Sequence, residues 1–393
     1  MRDPPDTEAN KGGLFPTAIK HHVELGFDVH VASMSEMTQR HKDVINSLGA
    51  TPFEPSMSVP EIFAKLRRFL LGNGKRARGP DLTSKKNLTR IASEISPGIV
   101  TGLQSYPTGL IAEKIASFLE VEYITWEHVS SYERSTPLSV SDPLMIEFLR
   151  GARAVLGVSS SLLNAINQRF SIALSNSSVL PNPIPLNYTQ PLKSEVPHWL
   201  AEIPKPSFVF ASWTSWRRLK RLDILLDAFE KIWKAKKDVT LVVAGPIDEE
   251  TAKVHRDFSD RHPDVSSAIV FTGALDRESI RHLAEVADCC IIPSDFETFG
   301  LQMVEALSLG TPVISTKCGG PEDILGDKRL GLLCEKDNAD ALSSAMLHVH
   351  ENHDTYRSED IANIANNLLG HETIKRKWAA VYEGIAPIGR NTT

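Results

Sequence analysis

The chain lacks the features that mark several large classes of protein. No run of apolar residues approaches the ~18 that a membrane-spanning helix needs, so nothing in the 393 residues reads as a transmembrane segment. Only four cysteines occur (Cys289, Cys290, Cys318, Cys334), and none has the spacing of a zinc site or of a disulfide framework. Cys289 and Cys290 are adjacent in an apolar stretch, as small core residues are in a reducing compartment, so a cytoplasmic protein is expected. Asp-x-Asp, a carboxylate pair that can hold a divalent ion, is absent from the sequence, as are internal repeats and low-complexity tracts. With 41% hydrophobic and 23% charged residues, the remaining composition is that of an ordinary globular protein long enough for two domains.

The net charge of −6 opposes nucleic-acid binding, yet it is unevenly spread. Residues 61–90 carry nine basic side chains against Glu61 and Asp81, a local +7 that leaves −13 elsewhere. Within them Ile62, Phe63, Leu66, Phe69 and Leu70 share one helical face, flanked by Lys65, Arg67 and Arg68. Two readings stand: a helix lying on an anionic membrane surface, or an apolar face on the domain core with a solvated basic side.

The most informative stretch is 293–324, PSDFETFGLQMVEALSLGTPVISTKCGGPEDI. An apolar strand over 287–293 leads to a loop carrying Glu297, and a helix over 301–309 carries Glu305 eight positions on. Gly310 and Pro312 stop that helix, 313–316 reads as a β-branched strand, and Gly319-Gly320-Pro321 reads as the start of another helix. A helix opened by Gly300 presents free backbone N–H groups to an anion, and paired carboxylates suit sugar hydroxyls.

Glu297-Thr-Phe-Gly-Leu, Glu305-Ala, Gly310-Thr-Pro-Val and Gly319-Gly-Pro-Glu together resemble the signature of retaining glycosyltransferases of family 4, with Thr298 where glycine is usual. The resemblance implies an α/β protein of the GT-B fold, two Rossmann-like doubly wound domains facing a central cleft. It implies a hexosyltransferase taking a nucleotide-diphosphate sugar as donor, with no further cofactor and no metal, and a glycan or lipid-linked acceptor at the cytoplasmic membrane face. Lys220 matches the lysine of the family's Lys-Gly-x-Asp motif, with Arg221 in the glycine position and Asp223 in the aspartate position. The arginine that precedes it in the family is replaced by Ser215 or Thr214, so Arg217 or Arg218 is the substitute, and Arg218 is assigned to the diphosphate. By the same resemblance the amides of Gly300 and Leu301 meet the diphosphate, Glu305 binds the ribose and Glu297 the donor sugar. Gly13 approaches the diphosphate from the first domain, and His128 stands near sugar and acceptor. The missing arginine keeps a second reading open, a non-catalytic or weakly active paralogue that binds nucleotide sugar or a partner. An epimerase of the same fold does not account for the Glu297–Glu305 context.

Seven prolines between 181 and 206 place the interdomain linker there. The expected organisation is a first domain over 1–190, a donor domain over 191–370, and a helix over 371–393 that, by the resemblance, returns to the first domain. Gly12-Gly13 resembles the family's first loop, but residues 1–10 with Pro4 and Pro5 make no strand before it. The first sheet is therefore expected to lack its central strand, with the natural chain beginning upstream of Met1 as the favoured explanation.

Overall fold

The computed structural model describes residues 14–32, 39–53, 82–95, 97–129, 132, 141–185, 188–189, 197–203 and 207–383. They form two compact units, one of Leu14–Pro181 with the segment from Ile374 onward, the other of Asn182–Thr373.

The first unit is α/β and its strands pair only in parallel. Strands β1 (His30–Ala32) and β2 (Thr51–Phe53) pair with each other, and β3 (Ile99–Leu103), β4 (Glu122–Glu127), β5 (Ala154–Gly157) and β6 (Ser177–Val179) form a second ladder in that order. Among the described residues no strand joins β1 to β3, the place a first strand takes in doubly wound order. Residues 1–13 lie outside the described residues, as do Gly13 and residues 61–81 of the basic stretch. What is described of that stretch packs onto the unit: Leu82 and Leu88 join a core with Phe53, Ile91 and Ile115, and Arg90 pairs with Glu94 while covering the Phe53 ring. The α-helix Leu110–Leu119 starts after Tyr106, which Pro107 holds in an extended conformation.

The helix His371–Val381 belongs to this first unit from Ile374 on, and carries Trp378, which is 1% exposed. Its indole lies edge-on to Trp126 at 5.3 Å, 4.5 Å from the His22 ring and stacked on Tyr382 at 5.6 Å. His22 gives its Nδ1 proton to the Ala18 carbonyl at 2.6 Å, so its Nε2 accepts from the Tyr382 hydroxyl at 2.7 Å. Burial lowers the His22 pKa, which keeps the ring in the neutral form those two bonds require.

The second unit holds one six-stranded parallel sheet: β7 (Phe208–Trp213), β8 (Val239–Ala244), β9 (Ile269–Gly273), β10 (Cys289–Ile292), β11 (Val313–Thr316) and β12 (Gly331–Cys334). Its order, β9-β8-β7-β10-β11-β12, is doubly wound and reverses between β7 and β10. Every residue of β8, β10 and β11 is buried, as expected of continuous apolar strands covered on both faces. The helix Leu222–Ala235 turns Leu222, Leu225, Leu226, Phe229 and Ile232 into that core at three- and four-residue spacing. After β11 a helix opens at Gly319 as expected, with Glu322 and Asp323 in its first turn, but it is a single 3₁₀ turn, Gly320–Asp323. Its start is tied to the preceding loop, where Gly320 donates to the Glu297 carbonyl and Glu297 to that of Cys318.

Trp378→Ala should remove about 3–5 kcal/mol of stability from the first unit, the usual loss for a buried tryptophan. Urea unfolding followed by tryptophan fluorescence measures it, and a loss under about 1 kcal/mol would show that the helix is not part of this core.

Candidate functional site

The switch point of the second unit is built from two loops. The first leaves β7 at Trp213. Gly245 has φ +117, and a β-carbon on it would sit 1.9 Å from the Thr214 carbonyl oxygen, so only glycine lets the loop pass. Trp216, fully buried, anchors it by donating its indole N–H to Ala244 O at 2.9 Å and its backbone N–H to Pro246 O at 2.8 Å. The chain then makes the turn Arg218–Lys220 and enters the helix at Leu222.

The second loop leaves β10 and is fastened to the first by Asp295 N–H to Leu219 O at 2.9 Å. Gly320 lies against it so closely that a β-carbon would be 2.3 Å from Phe299 Cα. These contacts bring the Lys220 ammonium to Glu297 Oε1 at 2.5 Å, and the Ser294 hydroxyl donates to the same oxygen at 2.8 Å. The two side chains keep 20% and 16% exposure, enough for a ligand to reach both.

Gly300 follows with φ +88 and starts the helix Leu301–Ser308. Among the described residues the amides of Gly300 and Leu301 have no acceptor, and Leu301 is exposed. One turn on, Glu305 accepts from the Trp213 indole at 2.7 Å. Burial pushes its carboxyl up to about 7, against the opposing effects of the Trp213 bond and the Arg277 charge. The structure therefore brings Lys220, Glu297, Gly300, Leu301 and Glu305 together at the carboxyl ends of β7 and β10, where open α/β sheets hold ligands. Such a site offers one cation, free helix N–H groups and two carboxylates, a set suited to a diphosphate joined to hydroxyl-rich groups.

Arg218 is exposed in the turn before Lys220. His128 belongs to the other unit, edge-on to Trp126 at 4.4 Å, with burial lowering its pKa to about 4, so it is neutral at pH 7. Two residues escaped the sequence reading. Trp213 sits in a strand of buried residues, and the only hint was an indole N–H that needs a partner there. Glu127, fully buried at the end of β4, accepts from the Ser105 N–H and the Thr125 hydroxyl. Burial raises its pKa to about 7 despite those bonds.

Residues 205–352 match the family described as Glycosyl transferases group 1. Over these residues the chain resembles a group 1 glycosyltransferase domain. It is 32% identical over 139 residues to a D-inositol 3-phosphate glycosyltransferase of Mycobacteroides abscessus, covering 33% of this chain and 30% of that one. To the alpha-1,3/1,6-mannosyltransferase ALG2 of Dictyostelium discoideum it is 26% identical over 228 residues, 51% and 54% of the two chains. The match to the Arabidopsis thaliana sulfoquinovosyl transferase spans 29% of that protein, so these alignments span between about a third and a half of the relatives' length. Solved structures extend the likeness to the whole glycosyltransferase fold. Anabaena HepE in complex with UDP and glucose superposes with a TM-score of 0.69 at 15% identity, over 96% of this chain and 98% of that one. A lipopolysaccharide outer core galactosyltransferase gives 0.67 at 17% identity over 94% and 95%. The chain has the GT-B fold.

Glu127 and Glu305 both bind their proton more tightly folded than unfolded. Their contribution to stability is complete below about pH 4.5 and declines as the pH rises to about 7. His22 and His128, shifted down, act in the opposite sense. Relative to the wild type, Glu127→Gln and Glu305→Gln should therefore each gain stability between pH 5 and 7.5 in urea titrations. A difference from the wild type that stays constant with pH would contradict the assignment.

Proposed function

We propose that the protein transfers a hexosyl group from a nucleotide-diphosphate sugar to a hydroxyl of a glycan or lipid-linked acceptor, with retention at the anomeric carbon and without a metal ion. The observation that carries this reading is the Lys220–Glu297 pair beside the open amides of Gly300 and Leu301, at the switch point of the unit that resembles a group 1 domain. Negative charge grows on the diphosphate as the sugar leaves, so a lysine and helix N–H groups fixed in place lower the barrier. Arg218, two residues before Lys220 in the same turn, can add a second cation. Glu297 orients the donor sugar and Glu305 the ribose, each carboxylate accepting from paired hydroxyls. His128 and Gly13 keep the roles that the family resemblance gives them. Relatives named for mannosyl and galactosyl transfer, and the UDP held by HepE, support a nucleotide-sugar donor. The absence of Asp-x-Asp supports metal independence.

A weakly active or non-catalytic paralogue is favoured by one observation, Ser215 and Thr214 where the motif has arginine. Losing one preorganised contact raises the barrier by about 3–4 kcal/mol. Transfer assays decide between the two. Donor turnover should persist in EDTA and give a product of unchanged anomeric configuration by NMR. Lys220→Ala should lower kcat more than it raises KM, and Glu305→Ala should mainly raise KM. An inverted product or a strict Mg²⁺ requirement contradicts the proposal, and a wild type that binds nucleotide without turnover favours the paralogue.

The basic stretch 61–90 supports a peripheral position at an anionic, cytoplasmic membrane face. Sedimentation with phosphatidylserine vesicles should show binding that weakens with salt. Equal binding to neutral vesicles, or none to either, counts against it.

A further inference from the structure

Arg221 stands one residue ahead of the helix Leu222–Ala235 with φ 50 and ψ 53, the left-handed region that a β-carbon disfavours. Its guanidinium is only 14% exposed and meets three carboxylates. Nε and Nη2 fork onto Asp223 at 2.9–3.2 Å, and Nη1 donates to Asp295 at 2.8 Å and to Asp337. These acids come from three segments: the first turn of the helix, the loop after β10, and the turn before the helix Ala339–Glu351. Asp337 is itself left-handed, with φ 56. Backbone strain at both ends of one side-chain bond persists only where the surroundings over-determine it.

The clamp straddles the Lys220–Glu297 pair. Leu219 accepts from the Asp295 amide at 2.9 Å, and Arg221 bonds the Asp295 carboxylate. Both neighbours of Lys220 are thus tied to the residue two places ahead of Glu297. Three acids around one guanidinium leave an excess of negative charge, so Arg221 has no cation to spare for a diphosphate. We propose that Arg221 is a positioning residue, which sets the Lys220 ammonium against Glu297 by clamping the segments of Asp223, Asp295 and Asp337. The inference rests on the transferase reading and deepens it. A lysine could not replace the fork, because an ammonium lacks the planar array of donors that reaches three carboxylates at once.

Arg221→Gly removes the clamp and the backbone penalty together, and Arg221→Lys and Asp295→Asn probe the same contacts with smaller changes. Donor turnover, nucleoside-diphosphate affinity and melting temperature are measured for each, and the first substitution is repeated on Lys220→Ala. Arg221→Gly should lower kcat by about tenfold to a hundredfold, as for a displaced reacting group, with Arg221→Lys no better than partly active and Asp295→Asn intermediate. On the Lys220→Ala background the same substitution should change kcat by less than about twofold, because the residue it positions is already gone. Equal losses on both backgrounds, or full activity of Arg221→Gly, overturn the inference while leaving the transferase reading intact. A wild type that binds none of UDP, GDP or ADP overturns the transferase reading, and this inference with it.

Discussion

The pairing of β7 with β10 is the constraint on which the candidate site depends. These strands are neighbours in the sheet but distant in sequence, and the loops that leave their carboxyl ends meet over the reversal point. Lys220 and Glu297, 77 residues apart, become partners because β7 and β10 run parallel and side by side. The ion pair is partly open to solvent, so its worth as a stabilising contact is modest. Its functional sense comes from geometry, since a cation held by one carboxylate oxygen beside free helix amides is already arranged for an anion. Gly245 and Gly320 serve the same end, each clearing the path of a loop that carries one member of the pair.

Much of this was legible in the sequence because its signals are local. Strand 313–316, the helix from Leu301 and its stop at Gly310 follow from apolar runs, β-branching and glycine placement within a dozen residues. The failures have long-range causes. Gly319-Gly320-Pro321 opens a helix as its local marks say, but the helix is one 3₁₀ turn long, beside the bonds between Glu297 and the 318–320 segment that local pattern does not show. The engagement of Arg221 with Asp295 and Asp337 depends on residues 74 and 116 positions away, beyond any window of sequence pattern. Nothing in the sequence around Glu127 marks it as enclosed, and only the fold shows that it is.

The two units use buried polar groups differently. In the first, the His22–Tyr382 bond and the rings around Trp378 bind the helix His371–Val381 to residues far earlier in the chain. In the second, Lys220 and Glu297 stand at the carboxyl ends of the strands and stay within reach of solvent. That contrast separates side chains that hold the fold from those available to a ligand, and it sets Lys220 and Glu297 in the second class.

Isothermal titration calorimetry comparing a nucleoside with its diphosphate tests the central claim most directly, that the Lys220–Glu297 corner is a diphosphate site. With whichever of UDP, GDP or ADP the wild type binds, the diphosphate should bind much more tightly than the bare nucleoside. Lys220→Ala should erase most of that difference and leave nucleoside affinity unchanged. If the diphosphate keeps its full advantage in Lys220→Ala, the anion is held elsewhere and the site as described is wrong.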